Sequence, residues 1–303
     1  MLDFGQVTII GTGLLGGSVG LGLKQTNCDG KPLFTGTITG YGHRLATAQL
    51  ALKHGCVDVA TDDLSSALRD AQLIILATPL STFEALLKQI ALHAKPDVIV
   101  TDVGSTKARV CELARTILHN QGRRFVGAHP MAGSEQQGPT AARGDLFVGR
   151  PCVLTPDANT DPAALALVRS LWQGLGMNIL TMSPTEHDRH AARISHLPHA
   201  TAALLVRLAA ASGSLPMASS GFRDCTRVAS GDERVWVDIF TTNRDAVVES
   251  LDALSQQIAQ LRNTLTRENA DELRALLASS RAERDRWIEK FSTGQNNAND
   301  DAG

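Results

Sequence analysis

The stretch Gly11-Thr12-Gly13-Leu14-Leu15-Gly16-Gly17-Ser18 decides the fold. It follows directly on Gln6-Val7-Thr8-Ile9-Ile10, a short apolar, β-branched run that reads as a buried strand. It leads into Val19-Gly20-Leu21-Gly22-Leu23-Lys24, which reads as a helix. G-x-G-x-x-G has meaning in this context, after a strand and opening a helix. Gly11 permits the tight turn, Gly13 lets the backbone approach a pyrophosphate, and Gly16 lets the helix pack close to the strand. Leu14 and Leu15, within the turn, are expected among the cofactor contacts, and the first amides of the helix face the anion. The expectation is a dinucleotide site at the start of an α/β fold.

Working outward, the second strand is predicted over Gly36-Thr37-Ile38-Thr39-Gly40-Tyr41. An NAD-specific site usually carries Asp or Glu at the end of this strand, bonded to the ribose 2′-hydroxyl. Here the chain reads Gly42-His43-Arg44, with no acid. The missing carboxylate removes repulsion against a 2′-phosphate, and Arg44 can pair with one through its fork of N–H groups. NADP is therefore favoured over NAD, with His43 and Arg44 beside the ribose; the other reading of Arg44 is the start of a surface helix to His54. Ala71 to Ala77 is a continuous apolar run typical of a parallel strand buried on both faces, and it ends in Thr78-Pro79-Leu80 beside the expected cofactor. Asp97 to Thr101 is the next strand and ends in Asp102-Val103-Gly104-Ser105-Thr106-Lys107. Ser105 reads either as the N-cap of the helix from Arg109 to Leu118 or as a hydroxyl near the nicotinamide. A helix after Pro162 and a strand from Met177 to Met182 complete a mostly parallel sheet.

The chemistry is expected at Gly127-Ala128-His129-Pro130-Met131-Ala132-Gly133-Ser134-Glu135. His129 follows a short apolar strand, and Pro130 stiffens what comes after. Histidine exchanges a proton near neutral pH, and the end of a sheet strand is where α/β enzymes work.

From Pro184 the strand signals stop and helical periods take over. His187 and His190, and His196 and His199, form i,i+3 pairs. No His-Glu-x-x-His or third ligand accompanies them, so no metal is expected. Pro198 is predicted to kink its helix and free backbone carbonyls, which makes His196 and His199 candidates for a pocket lining. Arg223 and Arg227 stand near Gly221, where an arginine fork can hold a carboxylate; surface ion pairs are the alternative. Asn243 to Leu265 and Glu268 to Phe291 are long amphipathic helices that a homodimer would cover. The predicted organisation is a nucleotide-binding domain over 1–182, a helical substrate and dimerisation domain over 183–292, and a disordered Asn/Asp/Gly-rich tail over 293–303.

Composition narrows the partners. The 303 residues allow one to two domains, and a net charge of −2 with interspersed signs implies neither nucleic acid nor an anionic membrane. No apolar run approaches the roughly 20 residues needed to span a bilayer. The N-terminus shows no basic region or cleavage site, and the five cysteines are scattered without a Cys-x-x-Cys pair. Reduced thiols in a cytoplasmic protein are expected.

Taken together and in this order, the Gly11–Ser18 run, Asp102 to Lys107, His129 to Glu135, Ser195-His196-Leu197-Pro198-His199, Gly221 to Arg227 and Trp236 to Phe240 resemble the prephenate/arogenate dehydrogenase family of tyrosine biosynthesis, over about Val7 to Phe291. The resemblance implies an N-terminal Rossmann domain followed by an all-helical dimerisation domain, with the active site in the cleft between them. It implies oxidative decarboxylation of a cyclohexadiene, with hydride leaving C4 for the nicotinamide and CO₂ leaving C1. In it His129 takes the C4 hydroxyl proton, Ser105 orients His129 and the nicotinamide, Arg227 holds a substrate carboxylate and His199 lines the pocket. His196 and Glu135 would be supporting or gating groups. On this reading the chain has no room for a C-terminal regulatory domain or an N-terminal mutase segment. The rival enzyme class, the β-hydroxyacid dehydrogenases and imine reductases, usually places a lysine where this chain offers histidines. A non-catalytic NADP-sensing protein would need neither His129 in the cleft nor an arginine-lined pocket.

Overall fold

The computed structural model describes residues 5–25, 32–118, 122, 124–133 and 136–300, with side chains to 290. The first half alternates strand and helix: β1 (Gln6–Ile10), α1 (Leu14–Lys24), β2 (Thr37–Tyr41), α2 (Leu45–Lys53), β3 (Val59–Thr61), α3 (Leu64–Arg69), β4 (Leu73–Leu76), α4 (Phe83–His93), β5 (Ile99–Asp102), α5 (Ala108–Leu118) and β6 (Arg124–Pro130). Then come β7 (Pro151–Thr155), α6 (Pro162–Gly174) and β8 (Asn178–Thr181). One sheet joins them in the order β3-β2-β1-β4-β5-β6-β7-β8. The first six strands follow the doubly wound 3-2-1-4-5-6 order, whose switch point lies between β1 and β4. All the pairings are parallel except β6 with β7.

Period-two alternation divides the apolar residues between two cores. Val7 and Ile9 of β1, with Leu73 and Ile75 of β4, pack on one face with Val19 and Leu23 of α1 and Val168, Leu171 and Trp172 of α6. Ile10, Ile74, Leu76 and Val100 face the other way, onto Leu68 of α3, Phe83, Leu87 and Ile90 of α4, and Val110 and Ala114 of α5. Each such side chain contributes about 1.5–3 kcal/mol by leaving water. Because both faces are covered, the ligand-accessible part of the sheet is its carboxyl edge.

Helices follow: α7 (Pro184–Ala191), a π-helical turn (Ala192–His196), α8 (Leu197–Ala211), α9 (Ser220–Thr226), a 3₁₀ turn (Arg227–Ser230), α10 (Glu233–Thr242), α11 (Arg244–Thr266) and α12 (Ala270–Asp300). Ser183 starts α7 with a capping box, its hydroxyl accepting from the Glu186 amide. The kink predicted at Pro198 takes the form of the π turn. Proline has no N–H to offer the preceding turn, and the wider turn absorbs the mismatch.

The chain groups into two compact units, Met1–Arg244 and Asp245–Gly303. The change of composition near 182 therefore lies inside the first unit, because the helices after β8 bond back to the nucleotide-binding half: the Asp188 carboxylate accepts the N–H groups of Lys107 at 2.7 Å and Ala108 at 2.9 Å. In the second unit Asn269 caps α12, accepting from the Glu272 amide at 3.1 Å. Helix α12 runs on to Asp300, past residue 293 where a structureless tail is predicted. The intervening Asn, Gln and Asp residues include no proline to stop it. Residues 301–303 lie outside the described residues. Among the described residues no helix is long and apolar enough to cross a membrane.

Candidate active site

The glycine turn has the shape its sequence demands. Gly11 has φ +97°, and a Cβ there would meet the Ala77 carbonyl oxygen at 2.5 Å. Only glycine fits this left-handed, close-packed position. A Cβ on Gly16 would meet the Gly11 carbonyl oxygen at 2.0 Å, so the helix also sits hard against the turn. Gly13, by contrast, has nothing within 4 Å on that side. No side chain caps α1 at Gly13, and the neighbouring Thr12 hydroxyl is buried without a partner. Open backbone, uncapped helix amides and an orphan hydroxyl together fit a pyrophosphate.

Beside the turn lies a cleft of about 260 Å³ whose walls include Leu14, Leu15, Thr78, Pro79, Ser105 and Ile239. It spans the ends of β1, β4 and β5, which is the nicotinamide's place in a doubly wound sheet. His43 and Arg44 are exposed at the end of β2, with Arg44 at the N-cap of α2.

His129 is the penultimate residue of β6 and is 8% exposed. Its Nδ1 lies 2.8 Å from Nε2 of His187, whose Nδ1 lies 2.8 Å from Oδ1 of Asp188. An ionised carboxylate only accepts, so His187 Nδ1 is the donor to Asp188. With both rings neutral, His187 Nε2 then accepts from His129 Nδ1, which leaves the lone pair of His129 on Nε2. Burial, the neighbouring His187, the Lys107 cation and His196 hold the His129 pKa well below the ordinary imidazole value. The group is a neutral base whose acquired proton would be supported through a second imidazole and a carboxylate.

A buried ion pair fixes the strand end that carries it. Lys107 Nζ donates to Oδ2 of Asp102, and both side chains are wholly buried. The other Asp102 oxygen accepts the Ala128 amide at 3.0 Å, one residue before His129.

The helical residues bring a second group of rings together. His199 stacks on Trp236 with centroids 3.5 Å apart and planes 13° from parallel, and His196 meets the same indole edge-on. Trp236 forms part of the wall of a larger cleft, about 730 Å³, with Pro79, Ser81, Gly231, Asp232 and Asp238. Helix α10 thus faces both ways: Trp236 and Phe240 meet His199, while Val235, Asp238 and Ile239 face the smaller cleft. Asp238 accepts the Ser81 amide at 3.0 Å, and Thr242 bonds Thr106 at 3.0 Å.

Ser105 does not cap α5; Asp188 does so from 81 residues away. Nδ1 of His129 is held by His187, and Ser105 stands on the wall of the smaller cleft. His187 is buried whereas His190, paired with it in the sequence pattern, is exposed. Arg223 is exposed and bonded to its neighbour Asp224. Arg227 is exposed at the head of the 3₁₀ turn and is not on the wall of either cleft. Glu135 and Ser134 lie outside the described residues. Cys56, Cys111, Cys152 and Cys225 are free thiols, burial pushing Cys111 up to about 11; Cys28 lies outside the described residues.

A sheet with an open glycine turn, an imidazole base at its carboxyl edge and a helical segment closing over it define a nicotinamide-dinucleotide oxidoreductase. The chain belongs to the prephenate dehydrogenase family. Family models described as "Prephenate dehydrogenase, nucleotide-binding domain" and "Prephenate dehydrogenase, dimerization domain" match residues 30–181 and 183–279. It is 36% identical to the prephenate dehydrogenase of Bacillus subtilis, over 88% of this chain and 72% of that one. Among solved structures it resembles Aquifex aeolicus prephenate dehydrogenase in complex with hydroxyphenyl propionate and NAD⁺ (TM-score 0.85, 30% identity, 94% of this chain and 99% of that one). It also resembles Synechocystis arogenate dehydrogenase (TM-score 0.80, 33% identity, 93% and 99%).

Proposed function

We propose that the protein oxidatively decarboxylates prephenate or arogenate with NADP⁺ as the favoured oxidant. The observation that carries this reading is the His129–His187–Asp188 chain at the carboxyl edge of the sheet, two strands from β4 and the switch point. A nicotinamide dinucleotide held by the turn of Gly11, Gly13 and Gly16 would supply the hydride acceptor for C4. His129 Nε2 takes the C4 hydroxyl proton as the hydride departs, which is general-base work by a group that is neutral when needed. The bond from C1 to its carboxylate then breaks, CO₂ leaves, and the electron pair enters the ring. His129 returns its proton to the oxygen, which becomes the phenol, so the reaction releases no net proton. His187 and Asp188 hold the proton of His129 on Nδ1, so that the Nε2 lone pair is free when the hydride departs. Arg227, Arg44 and His199 are assigned to a substrate carboxylate, the 2′-phosphate and the pocket lining respectively, with Glu135 and His196 as supporting groups. Exposed Val248, Ile258 and Leu277 on the long helices suit a homodimer through the segment matched as a dimerisation domain.

The test is an assay of two substrates by two cofactors, followed at 340 nm. Activity with prephenate or arogenate supports the reading, and absence of activity with all four pairs contradicts it. Arg44→Ala is expected to raise KM for NADP⁺ about tenfold or more, the effect of losing a charge-assisted hydrogen bond, while NAD⁺ is little affected. An equal change for both cofactors would remove Arg44 from the 2′-phosphate.

A further inference from the structure

Asn243 follows the last residue of α10 and is 5% exposed. Its Nδ2 lies 2.8 Å from the backbone carbonyl oxygen of Asp188 and 3.1 Å from Nδ1 of His196. A carbonyl oxygen can only accept, so the atom facing it is the amide nitrogen, which fixes which way round the amide sits. The same NH₂ group has a second hydrogen for His196. The ring nitrogen receiving it must therefore carry a lone pair, and the remaining proton of the neutral ring belongs on Nε2.

That nitrogen is an anomaly. His196 is 1% exposed, and its Nε2 has no hydrogen-bond partner. Most buried polar groups are paired, so an orphan beside a candidate site calls for an explanation. The ring is not a charge carrier: burial, with His187 and His199 adding to it against the opposing pull of Asp188, brings its pKa down to about 4. What remains is a neutral donor, held rigidly by a residue from another helix and placed among His129, His199 and Trp236.

We propose that Asn243 is a positioning residue that fixes His196 as the Nε2–H tautomer, so that this nitrogen donates a hydrogen bond to a carboxylate or carbonyl oxygen of the bound substrate. This rests on the dehydrogenase reading for the identity of the substrate, but the tautomer itself does not. The Asp188 carbonyl links the two devices: Asn243 holds the backbone of the residue whose carboxylate orients His187, and through it His129.

The experiment has two arms. Nitrogen-15 NMR of the full chain with labelled histidine, assigned against His196→Gln, is expected to show His196 protonated on Nε2 at neutral pH. A ring protonated on Nδ1 overturns the proposal whatever the enzyme's substrate. In the second arm Asn243→Asp replaces the donor with an accept-only carboxylate, which draws the proton to Nδ1. Substrate KM is expected to rise about tenfold or more, with dinucleotide affinity held within twofold. His196→Gln, whose amide nitrogen can stand where Nε2 stood, is expected to keep KM near the parent value, whereas His196→Asn is not. An unchanged substrate KM in Asn243→Asp overturns the proposal, as does equal loss of substrate and dinucleotide binding. If Asn243→Asp does not fold, the first arm and the His196 pair still decide.

Discussion

Replacing His129 by asparagine is expected to lower kcat by about 10² or more while dinucleotide binding stays nearly intact, because a positioned general base contributes roughly that much or more. Asparagine keeps a donor toward His187 Nε2 and has nearly the reach of Nδ1, so the relay behind it survives. What it cannot do is accept a proton where Nε2 stood. The dinucleotide groups lie elsewhere, at the Gly11–Gly16 turn and the wall containing Thr78 and Pro79. Steady-state rates at 340 nm, paired with fluorescence titration of the dinucleotide, separate the two effects. Turnover near that of the parent would take His129 out of the chemistry.

Replacing Lys107 by methionine is expected to destabilise the first compact unit by about 3–5 kcal/mol, the usual consequence of removing one partner from a buried ion pair. Both side chains are 0% exposed, so water cannot offset the charge left on Asp102. That carboxylate also holds the Gly104 and Ala128 amides, at 2.9 and 3.0 Å, so the damage reaches the end of β6. Urea unfolding measures the loss, and the double variant Lys107→Met/Asp102→Asn is expected to recover part of it because no charge is then stranded. A loss of less than about 1 kcal/mol in the single variant would mean that the pair does not have the role assigned to it.

How much of this was legible in the sequence depends on the range of the interaction. The glycine turn was readable because its three spacings answer to contacts within one βα unit: the clash a Cβ on Gly16 would make is with Gly11 itself. The position of His129 at the end of its strand was equally local. Strand β7 was missed because Pro151-Cys152-Val153-Leu154-Thr155 opens with proline and is paired by neighbours that are not adjacent in sequence. The partner of His129 was missed for a related reason. Helical spacing pairs His187 with His190, but packing against α5 turns only His187 inward. The capping of α5 by Asp188 crosses 81 positions, and local capping rules pointed to Ser105 instead. Asn243 looked like the first residue of a long helix; its role depends on two acceptors contributed by α7 and the π turn. A wholly buried lysine such as Lys107 leaves no periodic signature, since its loop has none.

The most direct measurement of the central claim is the pH dependence of kcat/KM for prephenate. The base works only when neutral, and burial together with His187, Lys107 and His196 lowers its pKa from the ordinary value of 6.5. Activity should therefore persist as pH falls through 6.5 and decline only below it, along a limb that disappears in His129→Asn. A limb at or above 6.5, or one that survives in that variant, would contradict the account.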